Sequence, residues 1–294
     1  TFKIEDHYIL LTDYEGNSLR TFYIDKKGYI WFGTIDGIYI FDPTDGKLSH
    51  YKHSRTDPFS LPNNSIWEIS EDRQSNVWIG TYSGTLCYVN IDENNAFKTY
   101  HPQNSGLNHT PVSAFAEDQQ YLWVGTEGGG INRMNKATGE FSYITSANSI
   151  TSNNIKSLIT DAGHNLWIST FMGGLDLYNV GRQKVTNFKH TKGAPHSLLV
   201  NDVRKTILEG DSGMWVAYQY QKAEVSYFSF REESFTHFSL DSISNNSYLF
   251  DILRQGEKTL WAISNETLYR LDIDKHVVEK MIPNDSTYLG LFTF

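Results

Sequence analysis

The strongest constraint in this sequence is a phrase that recurs. Residues Asn76–Gly84 read Asn-Val-Trp-Ile-Gly-Thr-Tyr-Ser-Gly: an apolar strand around Trp78, ended by Gly80-Thr81 and a glycine turn. Closely similar phrases stand at Tyr29–Thr34, Tyr121–Thr126 and Asn165–Thr170, and looser ones surround Trp215 and Trp261. Six of the seven tryptophans, Trp31, Trp78, Trp123, Trp167, Trp215 and Trp261, are separated by 47, 45, 44, 48 and 46 residues. A period in the mid-forties made of short β segments predicts propeller blades of four strands.

Each unit divides into four segments. An apolar strand comes first, with Asn17, Asn64, Asn153 or Asn201 two places before its first apolar residue. The tryptophan strand is second. Ile38–Phe41, Leu86–Val89, Ile131–Met134, Leu175–Tyr178 and Leu268–Leu271 supply the third, and Leu48–Tyr51, Phe97–Tyr100, Phe141–Ile144, Val185–Phe188 and Phe235–Phe238 the fourth. Polar turns such as Pro43–Gly46 and Lys136–Gly139 join third to fourth, as hairpins require. No stretch holds a helical period.

An acid precedes the tryptophan by six places at Asp25, Asp72, Asp161 and Glu209, and by five at Asp118; Gln255 stands there in the last unit. Asp beside Gly suits a tight turn, so a turn-stabilising role is expected. The pattern resembles the Asp-box of sialidases without its Ser and Thr. The Gly-Thr pairs are read as structural: Gly lets the backbone turn and Thr bonds a neighbouring backbone group. The tryptophans are expected to pack between blades.

The ends read as pieces of another blade. Phe2–Leu11 resembles a third and fourth strand and Ser286–Leu291 a first strand. The expectation is an all-β propeller, residues 1–294 forming one domain with six recognisable blades plus parts of a seventh, as a fragment of a larger sensor ectodomain.

The formal charge of −9 argues against nonspecific nucleic-acid binding. No apolar run reaches the roughly 18 residues of a membrane helix, so any membrane attachment is expected through regions outside this chain. The single cysteine, Cys87, lies in an apolar strand and reads as a buried, inert thiol.

The units resemble the two-component regulator propeller repeat: an acid, a turn, Gly or Asn, then apolar-Trp-apolar-Gly-Thr, then Gly-Gly-Leu and an aromatic. The best matches are Asn76–Tyr88, Tyr121–Met134 and Asn165–Tyr178, with Ser60–Asn64 as the lead-in. Val216-Ala217-Tyr218 and Ala262-Ile263-Ser264 depart from the pattern where Gly-Thr is expected. The resemblance implies a periplasmic sensor of hybrid histidine kinases in Bacteroidetes, detecting oligosaccharides. It also implies a second propeller and an immunoglobulin-like module as partners within the receptor, and a homodimer.

In a propeller the faces of the blades are covered by neighbours, so function falls to loops at one mouth of the channel. Turns from second to third strand share that face with the long links between blades. They place Tyr82, Glu127, Phe171 and Tyr220 there. One row stands out near the start of each first strand: Arg20, Trp67, Ser113, Lys156, Arg204 and Phe250. Facing the channel, it forms a ring of cations and aromatics in an acidic chain, suited to an anionic or neutral oligosaccharide. The competing reading has these side chains pairing with acids between blades, with Trp67 as core.

No catalytic group, cofactor or metal is expected. The histidines, among them His50, His53, His101, His109, His164, His190 and His196, show no ligand spacing and read as scattered and solvated. Gly128-Gly129-Gly130 lacks the Lys-Ser/Thr of a phosphate loop, and no Gly-x-Ser-x-Gly elbow exists. Carboxylates are plentiful, so a polysaccharide lyase or glycosidase stands as the alternative. A protein-interaction propeller is a third reading.

Overall fold

The computed structural model describes residues 19–82, 85–90, 94–219, 223–240, 249–264 and 268–281. Blade 1 comprises β1 (Leu19–Ile24), β2 (Ile30–Thr34), β3 (Gly37–Phe41) and β4 (Leu48–Tyr51). Blade 2 comprises β5 (Ile66–Glu71), β6 (Val77–Thr81), β7 (Leu86–Asn90) and β8 (Asn94–Tyr100). Blade 3 comprises β9 (Val112–Glu117), β10 (Tyr121–Thr126), β11 (Gly130–Asn135) and β12 (Phe141–Ile144). Blade 4 comprises β13 (Ile155–Thr160), β14 (Leu166–Thr170), β15 (Gly174–Asn179) and β16 (Lys184–Phe188). Blade 5 comprises β17 (Val203–Glu209), β18 (Gly213–Tyr218), β19 (Glu224–Ser229) and β20 (Ser234–Ser239). Blade 6 comprises β21 (Leu249–Gln255), β22 (Thr259–Ser264), β23 (Leu268–Asp272) and β24 (Val277–Met281).

Each blade is an antiparallel meander in sequence order, and the described residues form six of them around a channel as a β-propeller. The segments expected to build a seventh, Phe2–Leu11 and Ser286–Leu291, lie outside the described residues. The first, tryptophan, third and fourth strands fall where the repeat places them. β19 and β24, which the pattern does not mark, complete blades 5 and 6.

The tryptophans hold neighbouring blades together. Trp31 joins the cluster of Ile66, Ile69, Val77 and Ile79 in blade 2. Trp78 lies against Val112, Leu122 and Val124 of blade 3, Trp123 against Ile155 and Ile168 of blade 4. Trp167 meets Val203 and Val216 of blade 5, and Trp215 meets Ile252 and Leu260 of blade 6. These five indoles are at most 4% exposed, whereas Trp261 of the last described blade is only half-buried. One indole removes about 150–250 Å² of apolar surface from water, so the largest single apolar term per repeat lies between blades.

The recurrent acid has two tasks, and the expected turn role is only one. Asp72 Oδ1 accepts the amides of Gln74 and Asn76, while Oδ2 accepts the indole N–H of Trp78 at 2.7 Å. Asp25, Asp118 and Asp161 do the same for Trp31, Trp123 and Trp167, at 2.9, 3.0 and 3.1 Å. Glu209 serves Trp215, and neutral Gln255 serves Trp261 at 2.8 Å. A buried indole N–H needs an acceptor, and the acid on the opposite side of the β-turn supplies it. That bond is the physical reason for the constant spacing.

The glycine of the Gly-Thr pair requires a correction. It is not at a turn: Gly33, Gly80 and Gly125 sit in paired strand and face the first strand of the next blade. A Cβ on Gly80 would stand 2.7 Å from Val112 O, and one on Gly33 or Gly125 would stand 2.7 or 2.6 Å from the Cγ2 of Ile66 or Ile155. Absence of a side chain lets blades approach closely. Thr does bond backbone as expected: Thr34, Thr126 and Thr170 donate to the carbonyls of Gly37, Gly130 and Gly174 at 2.8–3.0 Å. In blade 5, Tyr218 occupies the Thr position and its hydroxyl donates to Ser226 Oγ at 2.7 Å.

Several histidines are structural rather than merely solvated, a second correction. Nδ1 of His53 and of His190 each bonds a carbonyl, Leu61 O and Leu198 O, at 2.7 Å. The backbone amides of these two histidines donate to Asn64 Oδ1 and Asn201 Oδ1. His50 stacks on Tyr39 at 3.8 Å. The contacts of His53 and His190 fasten the long links to the blades they enter. Cys87 is fully buried between blades 1 and 2, and burial pushes its thiol pKa up, as an inert thiol requires.

Candidate functional site

Every innermost strand carries a β-bulge at one place. The register between first and second strands shifts at Leu19/Thr21, Ile66/Glu68, Ile155/Ser157, Val203/Lys205 and Leu249/Asp251, and at the matching place in blade 3. The residue skipped by the ladder is Arg20, Trp67, Ser113, Lys156, Arg204 or Phe250. The row singled out in the sequence is therefore the row of bulges. A bulge breaks the alternation of faces and re-aims a side chain. Here it turns two consecutive residues toward the axis in blades 1, 2 and 5, and one in blades 3, 4 and 6. One pocket is lined by Arg20 and Thr21, Trp67 and Glu68, Ser113, Lys156, Arg204 and Lys205, and Asp251, so all six blades contribute.

The turns between second and third strands lie at the same mouth. Their first amides bond the incoming link: Tyr82 N to Ser65 O, Glu127 N to Pro111 O and Phe171 N to Asn154 O, at 2.9–3.0 Å. Two trios result. Trp67 and Tyr82 stack at 5.4 Å, with the Arg20 guanidinium 5.2 Å from the first ring and 5.8 Å from the second. Lys156 forms an ion pair with Glu127 and lies 5.5 Å from the Phe171 ring. Trp67 is thus channel lining rather than core, while Lys156 follows the competing reading and pairs with an acid. Ser113 faces inward but donates to Ile155 O at 2.6 Å. The side chain of Phe250 and the whole of Tyr220 lie outside the described residues.

Below the row, the channel is crossed by charge. Lys205 Nζ from blade 5 is 3.5 Å from Glu68 of blade 2, on the other side of the axis, and 3.9 Å from Asp251 of blade 6. Burial pushes the Glu68 carboxyl up, against the pull of Lys205, and Asp251 adds to the rise. The two carboxylates, Asp251 foremost, hold Lys205 above the usual lysine range. Sequence reasoning missed Glu68, Lys205 and Asp251, each one place beyond the row. Their signal was a charge directly following the row residue in the first strand.

The family model for the two component regulator propeller matches residues 13–36 and 60–83. Each matched stretch holds a bulge residue, Arg20 or Trp67, and a repeat tryptophan, Trp31 or Trp78. The chain is 28% identical over 176 residues to Histidine kinase P4 of Formosa agariphila, a match covering 58% of this chain. The match spans only 13% of that relative's length. Among solved structures, the extracellular domain of BT4673 of B. thetaiotaomicron, a candidate one component system, superposes with a TM-score of 0.71. Identity there is 20%, over 90% of this chain and 36% of that one. The WD40 repeats of RRP9 superpose with a TM-score of 0.67 at 10% identity, over 91% and 80% of the two chains. Likeness at such identity speaks for the fold alone.

Proposed function

We propose that this propeller, two stretches of which match the two component regulator propeller, is the extracytoplasmic sensing domain of a hybrid histidine kinase/response regulator, and that it binds an oligosaccharide at the channel mouth. The observation that carries the reading is the bulge row. Five of its residues, Arg20, Trp67, Ser113, Lys156 and Arg204, line one pocket although they come from five different blades. Aromatic faces at Trp67, Tyr82 and Phe171 suit sugar rings, and the neighbouring cations and Glu127 supply polar contacts. The histidine-kinase relative and the extracellular neighbour support a periplasmic sensor with its kinase elsewhere in the receptor. The further partners we infer are a second propeller, an immunoglobulin-like module and a second receptor copy. Signalling then follows from a ligand with unequal affinity for two arrangements of that dimer.

Binding rather than catalysis fits the charges best. The two channel carboxylates, Glu68 and Asp251, both face Lys205, and neither is placed as a lone acid or base. The test is calorimetric titration of this chain with a panel of oligosaccharides, repeated on Trp67→Ala and Tyr82→Ala. At least one saccharide should bind and lose about tenfold or more in affinity in each variant, as expected for lost ring stacking. Equal binding by wild type and both variants would remove the mouth as the site.

A further inference from the structure

The links that enter blades 3, 4 and 5 are fastened at one repeated place, a third-strand residue and its partner on the fourth strand. In blade 3 the pair is Asn132 and Tyr143. Asn132 Oδ1 accepts the Asn108 amide at 2.8 Å, and the Tyr143 hydroxyl donates to Gly106 O at 2.6 Å. In blade 4 the pair is Asp176 and Asn187. Asp176 Oδ2 accepts the amide and the hydroxyl of Thr151, and Asn187 Nδ2 donates to Asp176 Oδ1 at 2.6 Å. In blade 5 the pair is Ser226 and His237, and of these three pairs it is the one with an imidazole. His237 Nε2 lies 3.0 Å from Pro195 O on the link. Beside it, Phe235 N–H donates to His196 O at 3.1 Å, and His196 Nδ1 lies 3.3 Å from Phe235 O.

These partners fix the hydrogens of the His237 ring. A carbonyl oxygen only accepts, so Nε2 carries a hydrogen. In the neutral ring Nδ1 is then an acceptor, and the Ser226 hydroxyl donates to it at 2.7 Å. Ser226 Oγ in turn accepts from the Tyr218 hydroxyl at 2.7 Å. The chain runs one way, from Tyr218 through Ser226 and His237 to Pro195 O, and Tyr218 and Ser226 are fully buried. A second proton on the ring breaks this order. Tyr218, Ser226 and Nδ1 then hold three hydrogens between two bonds, so one buried hydrogen loses its acceptor. His53 and His190 escape this conflict, because their Nδ1 atoms face carbonyls and donate in either charge state.

We propose that His237 is a pH-operated latch: in mildly acidic solution its ring takes up a proton, and residues 190–199 come loose from blade 5. Burial lowers the pKa of the ring. The bond to Pro195 O, the Glu224 carboxylate on β19 and the Ser197 backbone pull it back up, while His196 on the link adds to the fall. A lowered pKa in the closed form means that the open form takes the proton first. The fastening therefore weakens as pH falls from about 6.5 to the lowered value, and is complete above it. The same link ends at Asn201 and Asp202, which accept the amides of Gly174 and Met172 and so hold the blade 4 turn at the mouth. The latch thus acts beside the candidate site and does not depend on what binds there.

The experiment measures amide hydrogen exchange of the whole chain at about pH 7.5 and about pH 5, corrected for the intrinsic pH dependence of exchange, together with the proton NMR titration of the His237 ring. Residues 190–199 and β20 should open about three- to tenfold more often at the lower pH, while the link into blade 3, held by Asn132 and Tyr143, should keep its protection. His237→Gln keeps a donor for Pro195 O and an acceptor for Ser226 but does not titrate, so opening of its link should not depend on pH. In Ser226→Ala the surplus hydrogen disappears, and the His237 midpoint should move up from its wild-type value. Equal protection of residues 190–199 at both pH values in wild type overturns the latch, as does the same loss in folded His237→Gln. A His237 midpoint at or above that of a free histidine, or one unmoved by Ser226→Ala, overturns the hydrogen-bond chain as its cause. Should His237→Gln fail to fold, wild-type exchange and the Ser226→Ala titration decide.

Discussion

Asp72→Ala separates the two tasks of the recurrent acid. The side chain is 4% exposed and holds four donors: the amides of Gln74 and Asn76, Asn76 Nδ2, and the indole N–H of Trp78. Removing it leaves an indole N–H without an acceptor inside the interface between blades 2 and 3, at about 1–3 kcal/mol. The turn amides lie nearer solvent and recover water, so their loss adds only about 0.5–1 kcal/mol. The expected total is about 1.5–4 kcal/mol, or a melting point lower by roughly 3–7 °C in a domain of this size. Asp72→Asn should fall between, since one oxygen remains; blade 6 already serves Trp261 with the neutral oxygen of Gln255. The deciding measurement is a double-mutant cycle with Trp78→Phe, followed by ellipticity in urea. Without an indole to serve, Asp72→Ala should cost about 1–2 kcal/mol less. If it costs the same in both backgrounds, the acid is a turn residue only, and the account of the six-residue spacing is wrong.

Gly80→Ala should destabilise by about 1–3 kcal/mol through overpacking, because its Cβ would meet the backbone of Val112 at 2.7 Å. Ala217→Gly, at the same place in blade 5, should cost only about 0.5–1 kcal/mol; urea midpoints in the reverse order would refute close approach as the reason for glycine. Lys205→Met should destabilise by about 2–4 kcal/mol, because Glu68 and Asp251 are left facing each other without their cation. The sign with pH follows from Glu68: its folded pKa is raised by burial, so its ionisation is resisted by the native state. Stability is therefore lost as pH rises from the ordinary carboxylate range through the raised value, and without Lys205 the loss deepens. The variant should be weaker against wild type at about pH 8 than at about pH 4.5; a pH-independent difference would show that the carboxylates are not the cause.

Much of the fold was legible because each blade writes the same few residues for the same reason. Tryptophan marks the face covered by the next blade, and the acid marks both the turn and the indole bond. Thr34, Thr126 and Thr170 close the hairpin after the second strand. β19 was not legible, since Tyr218 replaces the Thr that signals it and bonds Ser226 instead.

The channel was half legible, and the reason is geometric. Alignment of repeats located Arg20, Trp67, Lys156 and Arg204, because equivalent positions in equivalent blades share surroundings. The alternation of a regular strand sends the next residue to the opposite face, which would have turned Glu68, Lys205 and Asp251 away from the axis. The bulge suspends that rule, and nothing in Leu-Arg-Thr or Ile-Trp-Glu announces it, because a bulge is defined by the partner strand's register. The same irregularity also frees the site from the scaffold. A residue skipped by the ladder still takes its direction from the bulge, so Arg, Trp, Ser and Lys all occupy it without disturbing the tryptophan interfaces. Packing repeats because every interface poses the same problem. Arg20, Trp67, Ser113, Lys156 and Arg204 differ because they line one shared pocket, which each blade meets from a different side.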